Sequence, residues 1–99
     1  REYLDTLLPE NWDSLDLYER RDFLESDELT EPGTVQRYKV CVLEIWCEVF
    51  KGDPKNLNSL MSREINSIMQ NMQGWERSKG NLRFGKMYGH QRGYCRCTN

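Results

Sequence analysis

Arg63, Asn66, Ser67 and Gln70 stand at positions i, i+3, i+4 and i+7, with Ser62 at the head of the run and Asn71 flanking it. On a helix this spacing gathers them into one stripe. Arginine offers a two-pronged donor to guanine, and asparagine or glutamine offers a donor–acceptor pair to adenine. A face needed only for solubility would carry several Glu and Lys residues. Here Glu64 is the sole acid, and it lies off the centre of the stripe. A merely polar outer helix face is the plainer reading.

A second group follows at once. Arg77, Lys79, Arg83, Lys86, Arg92 and Arg96 stand against Glu76 alone, so residues 75–99 carry +5 before His90 is counted. Lysine and arginine beside a groove-binding helix can neutralise phosphates, and such contacts fix register rather than sequence. The duller reading is a basic, exposed loop. The two groups together favour DNA binding, with Ser62, Arg63, Asn66, Ser67, Gln70 and Asn71 on the helix. Arg77, Lys79, Arg83, Lys86, His90 and Arg92 would then lie on the loop.

Other chemistry finds little support. The run from Gly80 to Lys86 matches a phosphate-binding loop until its last position, where Met87 replaces the Ser or Thr that would hold Mg²⁺. The carboxylates cluster near the start of the chain with no apolar pocket to shift them, and a lone histidine in a basic loop is a poor general base. No catalytic site and no cofactor are therefore expected. Cys95 and Cys97 lack the two-residue gap usual for a zinc knuckle, and Cys41 and Cys47 sit in an apolar run. Free thiols in a cytosolic protein are expected, with no metal; a structural zinc site is the third-ranked alternative to DNA binding.

The net charge of −2 hides a split. Residues 1–34 hold eleven acidic residues against three arginines, a net of −8, whereas residues 35–99 hold eleven basic and five acidic, a net of +6. Such asymmetry suits a basic part that meets a polyanion. No run approaches the ~20 apolar residues that cross a bilayer, so a soluble, cytoplasmic (bacterial) protein without membrane contact is expected. Ninety-nine residues suit one small domain with an appendage.

The positioning elements can be read in outline. Asp16 with Glu19 forms a capping box that opens a helix through Leu24. Residues 26–34 read as a linker, and residues 1–34 as an acidic helical appendage. From Gln36 to Phe50 the chain is mostly apolar; Arg37, Glu44, Glu48 and Lys51 would make one solvated stripe of a helix, with Tyr38, Val42, Ile45, Trp46 and Val49 on its buried faces. Valine and isoleucine density argues for a strand, but the length favours a helix. Asp53-Pro54 opens a short helix. Ser62 then caps a third, whose Ile65, Ile68, Met69 and Met72 form its apolar face and which Gly74 ends. Five of the seven glycines fall between residues 74 and 93. Trp75–Ser78 and Arg92–Arg96 would pair around a long glycine-rich loop. The expected fold is α+β, mainly α. It is a winged helix-turn-helix over residues 35–99, with three helices and a C-terminal β-hairpin wing.

Several short motifs share a further likeness. Cys41-Val-Leu-Glu-Ile-Trp-Cys, Gly52-Asp-Pro, Arg63-Glu-Ile-Asn, Gly74-Trp-Glu-Arg-Ser, Arg83-Phe-Gly and Tyr88-Gly-x-Gln-x-Gly-Tyr, in that order, resemble the C-terminal end of virulence-associated E family proteins. Leu8-Pro-Glu-Asn-Trp and Glu19-Arg-Arg-Asp-Phe-Leu resemble the segment just upstream. The family comprises phage and genomic-island proteins with a helicase-like ATPase, often joined to a primase region. The resemblance implies a module of a replication protein that follows its ATPase and engages DNA. The alternative is a protein-interaction module docking on the parent ATPase or a replication partner.

Overall fold

Asp16 and Glu19 cap one another in the computed structural model, which describes residues 2–25 and 33–97. The Glu19 amide donates to Asp16 Oδ1 at 2.8 Å and the Asp16 amide to Glu19 Oε1 at 3.2 Å. This opens helix α2, Leu17–Glu25, after a single-turn α1, Glu2–Asp5, and a 3₁₀ turn, Trp12–Ser14. Asp53 likewise caps the short 3₁₀ turn Pro54–Asn56, its Oδ1 accepting from the Lys55 amide at 3.0 Å. Most of the linker expected over 26–34 lies outside the described residues.

Between these elements the chain departs from the single helix expected over 36–50. It forms strand β1, Lys39–Cys41, and then helix α3, Val42–Glu48. The cause is a distant partner. Lys39, Val40 and Cys41 pair antiparallel with Cys95, Tyr94 and Gly93, and no local periodicity reports a partner so far along the chain. Rotating the segment this way exposes Tyr38 and Val49, which the helix would have buried, and buries Arg37, Glu44 and Glu48.

Helix α4, Ser59–Gln70, also starts earlier than expected. Its cap is Asn58, whose Oδ1 accepts from the Met61 amide at 2.9 Å; Ser62 lies inside the first turn, its amide donating to the Asn58 carbonyl. Asparagine caps at least as well as serine, so the earlier start gains a turn of helix. Ile65 and Met69 face the core, while Ile68 is half exposed.

The glycine-rich segment is more ordered than a long loop. Strand β2, Trp75–Arg83, and strand β3, His90–Arg96, pair along both their halves, joined by the single-turn helix α5, Gly85–Tyr88. The sheet order is β1-β3-β2, antiparallel throughout. The register slips between Arg77 and Asn81, and a bulge at Ser78–Gly80 takes up the extra residues. Ser78 Oγ holds the bulge, accepting from the Gly93 amide at 3.0 Å and donating to the Gly80 carbonyl at 2.8 Å. The far end of the hairpin is pinned rather than free, because Phe84 and Tyr88 are buried. At Gly85, with φ of +77°, a Cβ would lie 2.1 Å from the Asp13 carbonyl oxygen, so only glycine fits.

The described residues thus form an α+β domain of five α-helices and a three-stranded antiparallel sheet. One apolar cluster holds Leu4, Val40, Ile45, Ile65, Met69, Trp75 and Tyr94; a second holds Cys41, Cys47, Phe84 and Tyr88. Residues 2–25, expected as an appendage, lie against both: Leu4 belongs to the first cluster and Leu17 packs on the second. Leu8 also bridges to Val35 by backbone hydrogen bonds. Among the described residues no helix is long and apolar enough to cross a membrane.

Candidate functional site

Helix α4 and strand β2 enclose a shallow open groove. Ser59, Ser62, Arg63, Asn66, Ser67 and Gln70 line one side and Arg77 the other. Five of the residues read as a helical stripe therefore do meet, and one hairpin arginine joins them. Arg63, Ser67, Gln70 and Arg77 are exposed. Among the described residues no carboxylate lines the groove.

Two asparagines are committed to the fold. Asn66 Oδ1 accepts from Tyr94 Oη at 2.7 Å and from Arg77 Nη1 at 3.2 Å, so its acceptor is occupied. Bidentate contact with adenine needs that oxygen together with the amide nitrogen. Asn71 follows the last helical residue and turns its Nδ2 back onto the Ser67 carbonyl at 2.9 Å, which satisfies an otherwise open helix-end acceptor. Arg63 and Gln70 keep the character of base-reading side chains.

The hairpin residues divide by register. Arg77 lies opposite Tyr94, Asn81 opposite Arg92, and Arg83 opposite His90. Residues 90, 92 and 94 of β3 share a face, and directly paired residues share it with them. Arg77, Arg92, Arg83 and His90 therefore continue from the groove along one face of the hairpin, all exposed. Lys79 projects from the bulge, exposed, with Gly80 beside it in open space. Lys86 stands apart: it is on α5, which packs against the Trp12–Ser14 turn. Arg96 is spent internally, donating to the Arg37 and Leu4 carbonyls at 2.7 Å and lying 3.4 Å from Asp5.

A buried charge group escaped the reading of the sequence. Arg20, fully buried, lies 3.2 Å from Glu44 and 3.0 Å from Glu48, and donates to the Trp12 carbonyl. Arg37 lies 3.2 Å from Glu44 and stacks over the Tyr3 ring. Among the described residues its guanidinium makes no well-aligned hydrogen bond, so its link to Glu44 is an ion contact. Tyr3 and Tyr88 donate to the two oxygens of Glu48 at 2.7 and 2.9 Å, tying the group to both apolar clusters. The available signal was the i, i+4 spacing of Glu44 and Glu48 inside an apolar run; the solvated stripe was the wrong side of that pattern.

Burial dominates the electrostatics of these groups. Burial pushes the Glu44 carboxyl up, against the pull of Arg37 and Arg20. Burial and the neighbouring Glu48 push the Tyr88 hydroxyl up, and burial pushes up the thiols of Cys41, Cys47 and Cys95. Thiols so shifted are weak nucleophiles at neutral pH. Among the described residues, no group of three His, Cys, Asp or Glu side chains could hold a metal ion.

No family model matches the chain, and no curated protein matches it.

Proposed function

We propose that this chain is a duplex-DNA-binding module of winged-helix type, with α4 in the major groove and the basic hairpin on the adjacent backbone. One observation carries the reading. Arg63, Ser67 and Gln70 line a groove that holds no carboxylate among the described residues and runs into a hairpin face bearing Arg77, Arg92 and Arg83. The winged-helix assignment is supported by the succession α2, β1, α3, α4, β2 and β3, interrupted by the 3₁₀ turn Pro54–Asn56 before α4 and by the single-turn α5 between the hairpin strands, and by the sheet order β1-β3-β2. On this reading α2 is the first helix of the three, α3 the second and α4 the recognition helix. The module then needs residues 17–25 as well as 35–97. The family resemblance would make it part of a phage or mobile-element replication protein carrying a helicase-like ATPase, with no catalytic site of its own.

Paired substitutions test the reading. Arg63→Ala with Gln70→Ala should cost on the order of 1–3 kcal/mol at a preferred sequence and little on random duplex. Lys79→Ala with Arg83→Ala should weaken binding to every duplex and reduce its salt dependence. If neither pair changes DNA binding while the protein stays folded, α4 and the hairpin are not the interface.

The rival protein-docking reading has an observation of its own. Tyr3, Ile45, Val49, Phe50, Ile68 and Met72 border an apolar cavity of about 130 Å³ between α1, α3 and α4, and Val49, Phe50 and Ile68 are partly exposed there. Phe50→Ser would separate the two readings, because it should leave DNA affinity unchanged and abolish docking on the parent ATPase.

A further inference from the structure

Tyr94 is a core residue with one atom outside the core's chemistry. It is 1 % exposed and packs with Val40, Ile65 and Trp75, a role its ring alone would fill. Its hydroxyl reaches the floor of the groove, donating to Asn66 Oδ1 at 2.7 Å and accepting from Arg77 Nη1 at 3.3 Å. Arg77 Nη1 also donates to Asn66 Oδ1 at 3.2 Å, and the guanidinium carbon lies 5.4 Å from the Tyr94 ring centre. Three side chains from α4, β2 and β3 thus close a triangle at the seam between helix and hairpin.

Resting on the DNA-binding reading, we propose that Arg77 is the fixed phosphate contact of this interface, with Tyr94 and Asn66 as its positioning residues. All the clasp bonds fall on Nη1. The opposite edge, Nε with Nη2, is a parallel pair of donors that matches two phosphate oxygens. Among the described residues no carboxylate neutralises Arg77, in contrast to Arg96 beside Asp5. A phosphate suits the site better than a guanine edge for two reasons. Arg77 is on the strand beside α4 rather than on the helix, and Arg92 and Arg83 extend the same face as a row of cations. Such a row follows a backbone, and its contacts set register. Asn66 gives up its acceptor to aim the arginine, which fixes α4 relative to the backbone. Because the guanidinium is already held before binding, little side-chain freedom is lost when phosphate arrives.

The test is duplex binding by the full chain, followed by fluorescence anisotropy over a potassium chloride series with several unrelated sequences. Arg77→Ala should lose about tenfold on every sequence and lower the salt slope by about one. Tyr94→Phe should lose about fivefold on every sequence while keeping the slope, since the charge stays and only its aim is lost. Combined, the two should bind no worse than Arg77→Ala alone. Arg77→Lys touches no core packing. It should keep the slope and still lose affinity, because an ammonium lacks the paired edge. Losses confined to sequences with a guanine at one position would make Arg77 a base reader and overturn the proposal. Additive losses, or Arg77→Lys binding like the wild type, would overturn the clasp alone. A wild-type protein that binds no duplex would overturn the DNA reading and, with it, the role given to Arg77.

Discussion

Arginine is used in two opposite ways within one small domain. Arg20 and Arg37 are buried against Glu44 and Glu48, with aromatic rings closing over them. Arg63, Arg83 and Arg92 are exposed on the groove and hairpin. A buried charge must be matched where it sits, since removing one partner strands the other in a medium that solvates it poorly. An exposed charge costs little and stays available to a polyanion. Burial and pairing, not residue type, separate the charges that hold this fold from those that could bind.

The sharpest way to break that contrast is to remove a buried partner. Arg20→Ala should destabilise the domain by about 3–5 kcal/mol, because Glu44 and Glu48 lose one of the two buried cations between them, and Glu48 the nearer one. Urea unfolding would measure it, and a loss below about 1 kcal/mol would mean the group is more solvated than its burial suggests. Next in size is Tyr88→Phe, which takes one hydroxyl from Glu48 and should cost about 1–2 kcal/mol. The same residue gives the group a pH signature. Burial and Glu48 hold the Tyr88 hydroxyl above its ordinary value of 10.0, and burial with Glu44 does the same for Tyr3. Between the unfolded and folded pKa values the folded state binds the extra protons. The contribution of the two tyrosines is therefore complete below about pH 10 and is lost as pH rises beyond it. Tyr88→Phe should flatten that alkaline loss in thermal melts at stepped pH. The exposed set is the smallest case: Lys79→Ala with Arg83→Ala should move stability by less than about 0.5 kcal/mol.

What the sequence revealed of this fold depended on how local each signal was. The Asp16–Glu19 box and the Asp53–Pro54 start need only neighbouring residues, and both were legible. So was the polar stripe of α4, because a helix repeats its faces within a few residues. Strand β1 was hidden because its partner is the distant Cys95–Gly93 segment. Once Lys39–Cys41 is a strand, the helical phase assumed for Arg37, Glu44 and Glu48 no longer applies, and a stripe read as solvated turns inward. The end of the hairpin was misjudged for a similar reason. Glycines in number suggest a loop, but Phe84 and Tyr88 anchor it to the body through contacts with distant residues. Asn66 could be put on the stripe and Asn71 beside it, yet only the fold reveals that their polar atoms are already engaged.

The contrast between the two arginine sets is tested most directly by the salt dependence of duplex binding, measured on the wild-type chain and on Arg77→Ala with Arg92→Ala at matched stability. A logarithmic affinity that falls linearly with the logarithm of salt, with a slope smaller by about two in the variant, is the predicted result. Duplex binding that is absent at low salt, or a slope unchanged by removing both arginines, would contradict it.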